Sequence, residues 1–298
     1  MKIFSLTLLL ASVLVFSQTN RFFYNYKFVT DSTDKGNVKE ATMLLDIDQD
    51  KSVYLDHAKY VADSTNNAEL NKQLKLNSSN ITINKSEGSS LVKYKVIKEY
   101  PNFKTHLYTS VSTDNYKVQE DKKPEWKIFP DQQKIGEYNT QKATTNYLGR
   151  QWTAWFTTEI PFQDGPYKFY GLPGLIVKIE DKTGTHSMIL VGNKKINKAK
   201  DDEASLPDAV KSLGLNTNEI EVSKQQFKKV WKNYKNDPTK NMREMMLKNS
   251  DTHKVVFKTK SSDGREISDP NQVFREMEKN IKEGFKKNNN PIEKDLYN

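Results

Sequence analysis

The feature that most restricts what this chain can fold into is a recurring two-residue alternation. Aromatic and β-branched side chains trade places with polar ones between short polar turns. RFFYNYKFVT (Arg21–Thr30) is its first instance. VKEATMLLDI (Val38–Ile47) and SVYLD (Ser52–Asp56) follow, flanking DQDK as a hairpin would. A period of two sends alternate side chains to opposite faces of a strand. Tyr94 and Val96, then Leu107, Thr109 and Val111, share an inward face while lysines point out. One buried face and one wet face describe an antiparallel meander.

The pattern runs on through SLVKYKVIKEY (Ser90–Tyr100), THLYTSV (Thr105–Val111), NYKVQE (Asn115–Glu120), EWKIF (Glu125–Phe129) and KIGEYNTQKATTNYL (Lys134–Leu148). LIVKIED (Leu175–Asp181) and THSMILVGN (Thr185–Asn193) flank KTG, whose Gly184 can take the left-handed backbone of a bulged hairpin. Ala62–Ser90 is polar, with room for a short helix at Glu69–Leu74 or a surface excursion.

Beyond Asn193 the period changes. LPDAVKSLGL reads as a short helix ended by Gly214, and Val222, Phe227, Val230, Trp231 and Tyr234 recur at helical spacing. Asp237-Pro238 reads as the N-cap and first turn of a helix carrying Met242, Met245 and Met246. HKVVFKTK (His253–Lys260) reads as one more strand. Asp269-Pro270 opens a last helix with Val273, Phe274, Met277, Ile281 and Phe285 on one stripe. The polar tail from Lys286 offers Pro291, Ile292 and Leu296 for docking back. The expected class is α+β: a long curled antiparallel sheet, a half-barrel-like meander of roughly eight to ten strands, with helices mostly in the C-terminal third.

Lys2 and the apolar run Ile3–Phe16 precede a sharp turn to polar sequence at Thr19. That run falls short of the about 20 residues a membrane span needs, and reads as a signal peptide over residues 1–18. Cleavage after Ser17 or Gln18 fits, and a buried strand or uncleaved anchor is the alternative. Residues 19–298 then form one domain, 19–195 mainly β and 196–298 mainly helical with one further strand. The mature chain is expected to carry no transmembrane segment and to reside in the periplasm, at the outer membrane or outside the cell.

Cysteine is absent, which excludes disulfides, thiolate metal sites and cysteine nucleophiles. Lys and Arg outnumber Asp and Glu by 47 to 38, a formal charge of +9. The lysines are scattered along the chain, so they read as a solubilising surface, with an acidic protein face or anionic lipid as the alternative counterpart; no nucleic acid is expected. No G-x-S-x-G elbow occurs, and the S-x-x-K match Ser32–Lys35 lies in a polar turn. Of the four histidines, His57, His106, His186 and His253, no two lie within five residues, so no helical metal pair forms. Asp46, Asp48 and Asp50 resemble a calcium loop, but Lys51 stands where it needs Gly and His57 where it needs Glu. No catalytic residue, metal or cofactor is expected.

The stretch Gly149–Asp181, GRQWTAWFTTEIPFQDGPYKFYGLPGLIVKIED, stands apart. Pro161, Pro166 and Pro173, with Gly165, Gly171 and Gly174, fix tight bends before the strand at Leu175. Trp152 and Trp155, three apart in a strand, face opposite ways. Two readings follow. The loop either plugs one end of the curled sheet, or stiffens a binding rim made of Arg150, Trp152, Trp155, Tyr167, Phe169, Tyr170, Gly171, Leu172, Pro173, Gly174, Leu175 and Ile176.

These residues carry a resemblance. GPYKFYGLPGLIVKIED, preceded by GRQWTAWFTTEIP and QKA (Gln141–Ala143), resembles the GLPGLI family of exported bacterial proteins. YNYKF (Tyr24–Phe28), the hairpin near Leu44–Tyr54 and NNPIE (Asn289–Glu293) extend it. The resemblance implies a Gram-negative envelope protein and brings no catalytic residue, cofactor or substrate with it. By fold analogy alone it is similar to the periplasmic lipoprotein carriers, whose trough holds acyl chains. The expected function is a non-catalytic binding or carrier role for an apolar, lipid-like ligand or an outer-membrane protein partner. An envelope hydrolase built from dispersed residues, for example a carboxylate pair with His106 or His186, and a structural or assembly subunit are the alternatives.

Overall fold

A computed structural model describes residues 18–75, 90–197, 218–248, 259–260 and 264–297. In chain order the elements are β1 (Gln18–Val29), β2 (Val38–Ile47), β3 (Lys51–Asp56), α1 (His57–Lys75), β4 (Lys95–Glu99), β5 (Lys104–Val111) and β6 (Asp114–Glu120). They continue with β7 (Lys127–Ile135), β8 (Tyr138–Tyr147), β9 (Arg150–Thr157), β10 (Leu175–Asp181), β11 (His186–Asn197) and β12 (Glu219–Ser223). The C-terminal part holds α2 (Lys224–Asn236), α3 (Lys240–Lys248), the short β13 (Thr259–Lys260) and β14 (Glu266–Ile267), α4 (Pro270–Lys287) and α5 (Lys294–Tyr297).

Twelve strands form one curled, unclosed sheet in the order β12-β6-β5-β4-β3-β2-β1-β11-β10-β9-β8-β7. Each neighbouring pair is antiparallel except β12, which lies parallel to β6. β1 is the seam: it pairs with β2 on one side and β11 on the other, so meanders built from early and late sequence meet along it. Phe22, Tyr24, Tyr26 and Phe28 point from β1 into the core at alternate positions, as their period requires.

The elements differ from the sequence expectation at several points. Helix α1 is far longer than Glu69–Leu74, because Asp56 accepts a hydrogen bond from the Lys59 amide (3.1 Å) and starts it directly after β3. The run Lys134–Leu148 is broken by a turn at Gly136, whose φ is +59°, and only its second part is β8. Val222 belongs to β12 and not to a helical stripe; the helix begins at Lys224, behind a Ser223–Gln226 capping box. Asp237 caps the end of α2, and α3 starts later, at Lys240. Asp269 caps α4 with Pro270 in its first turn, as expected. Where one further strand is expected, at His253–Lys260, the described residues show β12, which extends the main sheet, and β13, the end of that run, paired with β14. The helix expected before Gly214 and most of His253–Lys260 lie outside the described residues.

Candidate functional site

The chain from Thr158 to Gly174 turns inward and fills the hollow of the sheet. Lys98 on β4, fully buried, draws it in: its ammonium pairs with Asp164 and donates to the carbonyls of Gly165 (2.6 Å) and Phe169 (3.4 Å). Burial lowers the Lys98 pKa, and Asp164 works against that shift. Tyr100 donates to Asp164 at 2.5 Å, Trp126 Nε1 to the Tyr170 carbonyl at 2.7 Å and Tyr24 to the Ile176 carbonyl at 2.7 Å. These side chains satisfy loop backbone that burial would otherwise leave unpaired. Gly174 admits no side chain, since a Cβ there would lie 2.0 Å from the Thr157 carbonyl oxygen.

A left-handed backbone at Tyr167 (φ +55°) sends Tyr167, Lys168 and Phe169 into the core. Phe169 packs edge-on against Trp152 with ring centres 4.9 Å apart. Lys168 lies between Glu120 (3.0 Å) and Glu293 (2.5 Å), and Lys224, at the start of α2, reaches Glu120 at 3.0 Å and Asp295 at 3.2 Å. Tyr167 donates to Glu293. Burial raises the Glu120 pKa, but Lys168 and Lys224 outweigh it and hold the carboxyl below its ordinary value. This network ties loop, sheet, α2 and C-terminus together.

Arg150, the first residue of β9, grips the C-terminal segment. Its guanidinium donates to Asp181 (3.0 Å), the Asn290 side chain (2.7 Å), the Pro291 carbonyl (2.5 Å) and the Ile292 carbonyl (3.1 Å). Asn290 in turn donates to the carbonyls of Val29 (2.8 Å) and Thr30 (3.0 Å). His186 beside it has Nδ1 2.7 Å from the Tyr26 hydroxyl and Nε2 3.1 Å from the Asn290 carbonyl. An Arg150 guanidinium nitrogen also lies 3.1 Å from Nε2, so the ring is held from both of its nitrogens. Burial, then the Arg150 charge, pushes the imidazole pKa down to about 3. Asp181 accepts from the His186 amide (2.8 Å) and from Arg150, not from the imidazole, so no acid–histidine relay is built. His106 is buried with neither ring nitrogen hydrogen-bonded, and His57 opens α1. Among the described residues no group of three His, Asp or Glu side chains could hold a metal ion.

Two hollows flank this machinery. The larger, about 880 Å³, is lined by Asp121, Lys122, Lys123, Glu125, Asn146 to Gln151 and Asp295, a mixed and mostly charged surface. The smaller, about 420 Å³, has aromatic walls: Tyr26 and Phe28 of β1, Tyr94, Tyr167, Trp231 of α2, Phe285 of α4 and Tyr297. Its rim carries Lys93, Lys235, Asn288 and Asn289, and His186 with Asn290 forms its floor. The Tyr94 hydroxyl, beside that of Tyr26, is buried without a well-formed hydrogen bond. Both volumes suit a small molecule, and the aromatic walls make the smaller hollow the better ligand site.

Of the residues expected at a rim, Arg150, Trp152, Tyr167, Phe169, Leu172, Gly174, Leu175 and Ile176 are buried. Trp155 and Tyr170 are half-buried, and Gly171 and Pro173 are exposed at the loop tip. Trp152 and Trp155 do face opposite ways. Only Tyr167 of this set lines the aromatic pocket, and Arg150 acts on it through His186 and Asn290. The remaining wall residues were visible in sequence only as members of stripes: Tyr26, Phe28 and Tyr94 on strands, Trp231 and Phe285 on helices. Asn289–Ile292 of the NNPIE segment line the same pocket.

A family described as "Protein of unknown function (Porph_ging)" matches residues 147–178, the segment from the end of β8 to β10. No curated protein matches the chain. Two solved structures, described as "Structure of PNGF-II in P21 space group" and "Structure of PNGF-II in C2 space group", are similar to it at 17% and 16% identity, with TM-scores of 0.43 and 0.40. The similarity covers 71% and 69% of this chain but 32% and 31% of those chains, so this chain spans just under a third of their length.

Proposed function

We propose that the chain is an exported, non-catalytic binding protein of the GLPGLI kind, and that it holds a small apolar or amphiphilic molecule in the aromatic pocket. The observation that carries this reading is a pocket of about 420 Å³ walled by Tyr26, Phe28, Tyr94, Trp231, Phe285 and Tyr297. Pockets of roughly 300–1,000 Å³ with apolar walls and few polar groups are the usual form of small-molecule sites. The Tyr94 hydroxyl, buried beside that of Tyr26 without a well-formed hydrogen bond, supplies one such polar group, since a buried hydroxyl is stabilised once a ligand atom bonds it. The buried charged groups behind the pocket are committed to one another: Arg150 to Asp181, and Lys168 and Lys224 to Glu120 and Glu293. That favours holding a ligand over transforming one. The apolar run Ile3–Phe16 supports export to the envelope.

Residues 18–298 titrated into the neutral fluorophore N-phenyl-1-naphthylamine test the reading. Leu91, exposed to solvent, also lines the pocket; saturable emission is expected, with affinity reduced about tenfold, a change of about 1.4 kcal/mol, when Leu91→Trp adds an indole there. Absence of saturable binding, or affinity indifferent to Leu91→Trp in a variant with unchanged thermal stability, would remove it.

A further inference from the structure

We propose that the pocket's ligand is an organic anion, a carboxylate or similar acidic group on an apolar body, received at the mouth by Lys93 and Lys235. The inference rests on the aromatic pocket being the ligand site. Among the described residues its lining contains Lys93, Lys235 and His186 but no aspartate or glutamate. The imidazole, buried and beside the Arg150 guanidinium, is neutral, so the two lysines set the sign of the charge at the opening.

The three buried lysines among the described residues are each matched by an acid. Lys98 has Asp164, Lys168 has Glu120 and Glu293, and Lys224 has Glu120 and Asp295. Lys93, exposed before β4, and Lys235, half-buried in the last turn of α2, make no ion pair among the described residues. The C-terminal end of α2 favours a cation at Lys235, which explains its position. It does not explain why none of the described carboxylates faces it across the mouth. An incoming anion completes the pattern, its acidic group taking charge-assisted hydrogen bonds from both ammonium groups while its body lies among the rings.

The test displaces N-phenyl-1-naphthylamine from the full mature chain with a saturated fatty acid, the alcohol of the same chain length and the corresponding amine, at neutral pH and low salt. The acid is expected to displace the probe about tenfold more effectively than the alcohol, and the amine least of all. Added salt should narrow the gap. In Lys93→Gln/Lys235→Gln the acid should lose its advantage, acid and alcohol then displacing the probe alike. If the probe binds but acid and alcohol compete equally in the unaltered protein, or the acid's advantage survives the double substitution, the anion inference fails and the pocket reading stands. If the probe does not bind at all, both fall.

Discussion

Arg150 on β9 and Asn290 near the C-terminus, 140 residues apart in sequence, meet at 2.7 Å, the guanidinium donating to the amide oxygen. The same guanidinium holds the carbonyls of Pro291 and Ile292, so the last segment of the chain is bound much as a peptide ligand would be. The wall of the aromatic pocket formed by this segment is therefore only as firm as Arg150.

Arg150→Ala leaves Asp181 buried without its cation and frees the segment around Asn290. A loss of about 3–5 kcal/mol is expected in urea unfolding, the usual cost of breaking a buried pair. Hydrogen exchange of the amides at Asn290 and Lys294, which donate to Thr30 and Leu148, should accelerate more than that of Tyr24 in mid-sheet. Arg150→Lys keeps the charge but not the fork, and should recover part of the stability with little of the exchange protection.

Two glycines of the inward loop should respond unequally to alanine. Gly171→Ala meets nothing within 4 Å and strains only a backbone at φ +89°, a cost of about 1–2 kcal/mol. Gly174→Ala drives a methyl group into the Thr157 carbonyl and should cost about 3 kcal/mol or more. Thermal denaturation of the pair, giving similar losses for both, would contradict this assignment.

His186 makes stability depend on pH in a defined direction. Its folded pKa of about 3 lies below the ordinary 6.5, so the unfolded chain binds the proton more tightly. The stabilising contribution is complete above about pH 6.5 and is lost as pH falls from there toward 3, by up to about 1.4 kcal/mol per unit. Asp181, held below its usual value despite burial by Thr183 and the His186 amide, adds a further loss only once pH passes below the ordinary carboxylate range. Denaturant midpoints measured across this window should fall less steeply for His186→Gln. The slope that remains includes His106, whose pKa burial also lowers.

Lys168→Met removes the cation shared by Glu120 and Glu293 while nearly preserving side-chain length. Those carboxylates then keep only Lys224, and a loss of about 3–5 kcal/mol is expected. Pairing it with Glu293→Gln should recover part of that loss, a coupling readable in a double-mutant cycle.

The sheet was legible because its signal is local. The hairpin of β10 and β11 announced itself by alternation and by Gly184, whose φ of +69° is the backbone that the turn needs. Trp152 and Trp155 were assigned to opposite faces by period alone. The inward course of the loop was far less legible. Proline and glycine around Tyr167–Phe169 signal bends but not their direction, and Lys168 reads as a surface residue until Glu120 and Glu293 arrive from distant positions. Helix α1 was largely hidden because its residues His57–Lys75 show almost no apolar stripe, and Asp56 supplies its start from the end of a strand. The aromatic pocket could not be read from any one segment. Its walls come from β1, the loop, α2, α4 and the tail, and each contributes side chains that its own periodicity already explains as core.

The position of β1 also governs the order in which the molecule can be assembled. A polypeptide delivered amino end first fills one flank of β1 promptly with β2, but the other flank waits until residues 186–197 have arrived. During that interval a long aromatic strand stands with bare amides and carbonyls, open to pairing with any neighbouring chain. Such distant pairings are slow to form, so maturation is exposed to aggregation and benefits from a holding chaperone. Shortened forms ending before β11 inherit this vulnerability permanently.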